Sequence, residues 1–205
     1  MSAPRRIRVD LELVGDLVAP KSRVLDVGCG DGALLAHLAA TKQADARGLE
    51  LSMAKVRAAV SQGLSVIHGN LETDLKDYPD GAFDYAILSQ TLQATHSPRD
   101  VLADLLRIGR RAIVSFPNFG HWRVRWQVLI DGTMPTTPTL PDRWYETPNI
   151  HLCTLRDFVD LCRDMGVKIE QGFAFGARGR LKQVDPQGWL ANLFSEQAVF
   201  VLTRQ

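Results

Sequence analysis

The sequence predicts an α/β fold, a doubly wound, mostly parallel, seven-stranded sheet with helices on both faces and its last strand antiparallel. Three observations predict it. Short apolar runs alternate with helical stretches through the first half of the chain, the pattern of parallel strands joined by crossover helices. The run Val24-Leu25-Asp26-Val27 passes directly into Gly28, Gly30 and Gly32 and then into an Ala/Leu-rich helix, so a buried strand ends in a tight, ligand-facing turn. Two further strands close the chain as a hairpin.

The elements follow in order. Asp10 is expected to cap a short helix from Leu11 to Val18, with Leu11, Val14 and Val18 on one face and Pro20 as its end. Strand one and the glycine loop lead into a helix from Ala33 to Ala40, then a second strand from Ala44 to Glu50. Ser52 is expected to cap the next helix, and Gly63 to supply its left-handed stop. Ser65 to His68 is strand three and Ala82 to Leu88 strand four. Ser97-Pro98-Arg99-Asp100 opens a helix with a capping serine, proline in first position and an acid in the first turn. Arg111 to Phe116 is strand five.

Residues 117 to 153 break the alternation. They hold five of the ten prolines and three of the four tryptophans, with little periodicity. An insertion after strand five, lying over the ligand-bearing edge, is the expectation. Thr154 then caps a helix from Leu155 to Met165, with Asp157 at N3 and Gly166 as its stop. Strands near Val167 to Phe175 and Gln197 to Thr203 complete the sheet, so residues 1 to 205 read as a single domain with one insertion.

Composition narrows the function. Lysine plus arginine (24) nearly cancel aspartate plus glutamate (23), which argues against a nucleic-acid groove. Cys29, Cys153 and Cys162 form no C-x-x-C pair, so neither a metal site nor a disulfide framework is indicated. Nothing resembles a signal peptide or an 18-residue apolar span. The expectation is a cytoplasmic chain with no membrane contact.

The glycine loop, followed by an acid at the end of strand two, marks a nucleotide-type site at the carboxyl ends of a parallel sheet. The glycines are spaced G-x-G-x-G, one residue tighter than the dinucleotide fingerprint, which argues against a nicotinamide dinucleotide. Preceded by Asp26, the pattern D-x-G-x-G-x-G resembles motif I of the class I S-adenosylmethionine-dependent methyltransferases, a Rossmann-like fold whose last strand is antiparallel. That resemblance implies S-adenosyl-L-methionine, or S-adenosyl-L-homocysteine, as ligand. It places Gly28, Cys29 and Gly30 around the methionine moiety and Glu50 on the ribose hydroxyls. In Gly69-Asn70-Leu71-Glu72 it places Asn70 and Leu71 against adenine, although Asn70 also suits an ordinary asparagine turn. Asp26 reaches the ligand's amino group or braces the glycine loop. Ser89 and Gln90 stand where methyl donor and acceptor meet.

Methyl transfer requires alignment and, for a protonated nucleophile, a base. Ser89-Gln90-Thr91-Leu92 carries neither Asn-Pro-Pro-Tyr nor a Pro-Cys pair. His96, His121 and His151 remain as bases, yet a lone histidine is more often structural, and no catalytic residue is assigned. His121-Trp122-Arg123-Val124-Arg125-Trp126 reads first as a packed helix with tryptophans in and arginines out, second as a partner surface and third as a nucleic-acid contact. Gly176-Ala177-Arg178-Gly179-Arg180 reads as a charged hairpin loop.

Four longer words carry a closer resemblance. Ile87 to Gln93, Ser115 to Trp122, Trp144 to His151 and Asn192 to Ala198 resemble the bacterial methionine biosynthesis protein MetW family, from about Arg8 to the C-terminus. The resemblance implies a protein that binds and supports homoserine O-acyltransferase; its adenosylmethionine site would then serve structurally or, since that ligand lies downstream of methionine, as a sensor. The alternative is an active methyltransferase on a small molecule or protein, with residues 117 to 153 as acceptor lid.

Overall fold

The computed structural model describes residues 7–176, 182–183 and 188–204. In chain order the elements are α1 (Val9–Leu17), β1 (Arg23–Val27), α2 (Ala33–Lys42), β2 (Asp45–Glu50), α3 (Met53–Val60), β3 (Ser65–His68), α4 (Leu71–Asp74), β4 (Phe83–Ser89), α5 (Pro98–Ile108) and β5 (Gly109–Pro117). After these come α6 (Trp122–Trp126), α7 (Leu155–Asp164), β6 (Val167–Phe175), the two-residue β7 (Lys182–Gln183), α8 (Trp189–Phe194) and β8 (Gln197–Arg204). All seven expected strands are present, and the sheet runs β3-β2-β1-β4-β5-β8-β6-β7.

The chain divides into two compact units, Met1–Ser89 with Ala103–Ile113 and Gln90–Leu102 with Val114–Gln205. In the first, β1 pairs in parallel with both β2 and β4, and β2 pairs in parallel with β3. The register sets Val27 beside Leu49 and Leu88, and Glu50 beside His68. Four strand ends therefore meet one edge, where Gly28, Glu50, Asn70 and Ser89 lie. Val24, Leu25, Val27, Leu34, Leu35, Leu38, Ile87 and Leu88 are buried behind them. Each such side chain stabilises the fold by roughly 1.5–3 kcal/mol relative to exposure, which is what holds the edge rigid.

In the second unit β6 and β8 pair antiparallel, as expected of the closing hairpin, with a register shift between Ile169 and Gln171. Its core is a ring cluster. Phe116 lies 4.7 Å from Phe158 and 5.8 Å from Phe200, and Phe158 lies 4.9 Å from Phe200, centroid to centroid. Helix α7 presents Leu155, Phe158, Val159 and Cys162, spaced i, i+3, i+4 and i+7, and all four are buried. Its start follows the sequence reading. Thr154 Oγ1 accepts the Asp157 N–H, and the Asp157 carboxylate accepts the Thr154 N–H.

Two local expectations are corrected. Asp10 does not cap α1: it lies within the first turn, buried, and its carboxylate is held by the Arg8 guanidinium. Ser52 occupies the N-cap position of α3 without a side-chain cap bond, and its N–H goes to Glu50 instead. Gly63, by contrast, does supply the left-handed stop of α3 (φ 80°): its N–H donates to Val60 O at 2.9 Å and the following Leu64 N–H reaches back to Ala59 O at 3.3 Å. The sequence reading also lacks α8, whose N-cap is Gly188 and whose six residues are too short to show a period.

The segment after β5 is irregular, as its prolines require. It holds the five-residue α6 and a π-turn at Gln127–Asp131 closed by the left-handed Gly132. Trp126, Leu129, Ile130 and Trp144 are all exposed, Leu129 by 77%. In His121–Trp126 the expected inward tryptophans are therefore outward: Val124 and the capping His121 are the buried residues. Of the expected loop at 176–180, residues 177–180 lie outside those described. Among the described residues, no helix is long and apolar enough to cross a membrane.

Candidate functional site

The site belongs to the first unit. Gly28, Gly30 and Gly32 have φ of 74°, 61° and 83°, the left-handed region in which a side chain is strained. Three turns of that hand within five residues reverse the chain between β1 and α2 and present backbone amides toward the strand edge. A Cβ on Gly30 would meet nothing within 4 Å, so open space lies in front of its Cα. Gly32 differs: its Cβ would land against Leu64 Cδ1 and 3.2 Å from Ala59 Cβ. Gly30 thus faces open space, Gly32 the packed interior.

Glu50 ties the loop down. Its Oε2 accepts the Gly30 N–H and its Oε1 accepts the Ser52 N–H, both at 2.8 Å. The residue is 7% exposed. Each carboxylate oxygen can accept a second donor, so the same group can hold a pair of vicinal hydroxyls. The Gly28 and Cys29 amides donate to Leu49 O at 2.7 and 3.3 Å, fastening the loop to β2 as well. The Cys29 side chain packs beneath Gly48, where any Cβ would collide with its sulfur. Burial above all, then the charges of Asp26 and Glu50, pushes the Cys29 thiol up to about 12, so it remains a neutral packing group.

Asp26 is 3% exposed at the end of β1. Burial pushes its carboxyl up to about 7, with the Arg8 guanidinium pulling down and Glu50 pushing up. A buried acid in that condition favours a cation beside it. Asn70 caps α4, its Oδ1 accepting the Glu72 N–H at 2.9 Å, which is the asparagine turn. Leu71 beside it is half-buried. Ser89 Oγ lies 3.2 Å from both Asp10 Oδ2 and an Arg8 Nη2. The sequence reading omits Arg8 and gives Asp10 only as a cap, since residues 81 and 79 positions from Ser89 leave no local pattern.

The histidines part company. His121, in the second unit, caps α6 by accepting the Arg123 N–H on Nδ1 at 3.3 Å. Burial lowers its pKa, so the imidazole is neutral. The His151 side chain is exposed, and its backbone N–H donates to Gln93 O at 3.0 Å; His96 is exposed. In the same unit, Phe119, Met134, Pro135, Trp144, Ile150 and Leu152 line an apolar cavity of about 330 Å³. Among the described residues, no cluster of three or more His, Cys, Asp or Glu could hold a metal ion.

A family model described as methionine biosynthesis protein MetW matches residues 8–202. The bifunctional methionine biosynthesis protein MetXA/MetW of Rhodopirellula baltica is 34% identical over 174 residues, covering 80% of this chain and 28% of that protein. The chain thus spans under a third of that relative. Among solved structures, an S-adenosylmethionine-dependent methyltransferase from Mesorhizobium loti superposes with a TM-score of 0.69 at 16% identity, covering 96% of this chain and 98% of that one. A methyltransferase from Thermotoga maritima, described as a possible histamine N-methyltransferase, gives 0.68 at 19%, covering 96% and 88%. At such identities the likeness shows the class I methyltransferase fold.

Proposed function

The chain belongs to the methionine biosynthesis protein MetW family, and on that premise we propose that it binds S-adenosylmethionine or S-adenosylhomocysteine and supports a homoserine O-acyltransferase. The carrying observation is the Glu50 carboxylate, locked by two backbone amides beside an open Gly30. In this reading Glu50 holds the ribose hydroxyls and the Gly28–Gly30 loop wraps the amino-acid moiety. Asp26 faces the ligand's ammonium, and Asn70 with Leu71 borders the adenine. When bound, the sulfonium of S-adenosylmethionine supplies an activated methyl group.

Two observations support the partner. The relative named above joins MetXA and MetW in one chain. The second unit exposes Trp126, Leu129, Ile130 and Trp144, more apolar surface than a lone module needs to show water. Among the described residues of the first unit we assign no base for methyl transfer, and a binding role needs none. Methyl transfer to a small molecule or protein is the second reading, supported by the likeness in fold to methyltransferases.

The test is homoserine acylation by the cognate acyltransferase with and without this chain, at several adenosylmethionine concentrations. A rate that depends on the chain supports the partner role, and a further change with ligand makes the chain a sensor. No effect on the rate, with no complex by gel filtration, overturns it.

A further inference from the structure

We propose that an apolar trough on the second unit is the face that docks on the acyltransferase. It takes a surface segment of that partner whose apolar stripe ends in an acid at one side and a base at the other. The inference rests on the partner reading above and deepens it.

Two cavities make the trough. The one of about 330 Å³ and another of about 710 Å³ share Phe119, Met134, Pro135 and Leu152 as walls, so they run into each other. Backbone bonds fix its lining. The Phe119 N–H donates to Cys153 O at 3.1 Å, and the Ile150 and His151 N–H groups both reach Gln93 O, at 2.9 and 3.0 Å. Thr137 and Leu140 exchange N–H···O bonds at 2.9 and 3.0 Å. A partner therefore meets a preformed surface, and little ordering entropy opposes docking.

The rim identifies the occupant. Leu129 borders the larger cavity and is 77% exposed; Trp144 borders the smaller and is 72% exposed. A small molecule filling either cavity leaves most of that surface in water, whereas a protein segment laid along the trough removes it. Tryptophan and arginine are also the side chains that carry most of the energy at protein interfaces. Charge then orients the segment. Arg125 borders only the larger cavity, and its Nε is anchored on Gly120 O at 2.7 Å, which leaves its two Nη groups for a carboxylate. Asp142 borders only the smaller cavity and has no ion pair or hydrogen bond among the described residues. A cation at one cavity and an anion at the other call for the opposite order of charges on the partner.

The experiment titrates the full chain into the cognate homoserine acyltransferase by calorimetry at two ionic strengths, with melting curves to check that each variant folds. Leu129→Asp and Trp144→Asp should each weaken the complex at least about 30-fold. Arg125→Gln and Asp142→Asn should each weaken it about threefold to tenfold and flatten its salt dependence. Ile67→Asp, at a 57% exposed position on β3 in the first unit, should leave it unchanged. A wild-type complex that survives both Leu129→Asp and Trp144→Asp overturns the surface and leaves the partner reading standing. A dimer of this chain alone, lost in Leu129→Asp while the acyltransferase complex persists, does the same and gives the trough to a second copy. No wild-type complex overturns both.

Discussion

The Glu50 carboxylate accepts the Gly30 amide at 2.8 Å across twenty residues of chain, so the acid at the end of β2 also fixes the loop after β1. In the proposed binding mode, ligand and loop geometry share this one side chain. Glu50→Ala leaves the Gly30 and Ser52 amides without their acceptor as well as any ligand hydroxyls. Charge-assisted bonds of this kind contribute about 1.5–3 kcal/mol each. The expected outcome is a loss of adenosylmethionine affinity of at least ~30-fold, or ~2 kcal/mol, by calorimetry. Glu50→Gln should lower the melting temperature as well, because its amide nitrogen turns a donor toward one of the two N–H groups.

Gly30 and Gly32 separate ligand space from packing. Gly30→Val places a side chain in open space, so the fold loses about 2 kcal/mol from left-handed strain, the upper end for a β-branched residue, while ligand binding is abolished. Gly32→Ala forces Leu64 and Ala59 apart, and the melting temperature should fall further than for Gly30→Val. Thermal melts with and without ligand check both. A ligand-induced shift surviving in Gly30→Val would move the ligand elsewhere.

What was legible in the sequence was whatever local chemistry determines. The glycine loop, the proline start of α5 and the Thr154–Asp157 box each act within a few residues and were read correctly. Ser52 and Asp10 were misread because a longer-range partner won the competition, Glu50 for the Ser52 amide and Arg8 for the Asp10 carboxylate. The same limit hid the Arg8–Asp10–Ser89 cluster, which exists only once α1 meets the end of β4. The tryptophans near 122–126 were expected inside on hydrophobicity alone. A five-residue helix buries one narrow face, and Val124 takes it.

Asp26 makes both affinity and stability depend on pH. Its carboxyl has a pKa of about 7 in the fold against 3.8 as reference, so the folded chain holds this proton more tightly than the unfolded chain. Its contribution is therefore most favourable below pH 4, erodes as pH rises from 4 to 7, and above 7 stands at its full cost, a few kcal/mol. Asp26→Asn should accordingly raise the melting temperature at pH 8 and change it little near pH 4. Ligand binding runs the other way, since an ammonium prefers the ionised acid. Affinity should rise with pH, by up to about tenfold per unit below 7, then level off, and Asp26→Asn should flatten the profile. A flat wild-type profile between pH 5.5 and 8 would remove Asp26 from the ligand's ammonium.

Asn118 organises the second unit as Glu50 does the first. It is 1% exposed, and its amide group is fully employed. Nδ2 donates to Asn192 O at 2.8 Å and Ser195 O at 2.7 Å, while Oδ1 accepts the Gly120 N–H at 2.9 Å and the Leu155 N–H at 3.3 Å. One side chain thus joins the end of β5, the start of α7 and the α8–β8 turn. Asn118→Ala strands two carbonyls and two amides, at about 1–3 kcal/mol for each buried group, so a loss of at least ~3 kcal/mol in denaturant unfolding is expected. Asn118→Asp is the sharper probe. It keeps the acceptor for Gly120 and Leu155, but ionised it turns an oxygen toward two carbonyls, and protonated it regains one donor. Its destabilisation relative to wild type should therefore be larger at pH 7 than at pH 5, and a pH-independent difference would refute this account of the network.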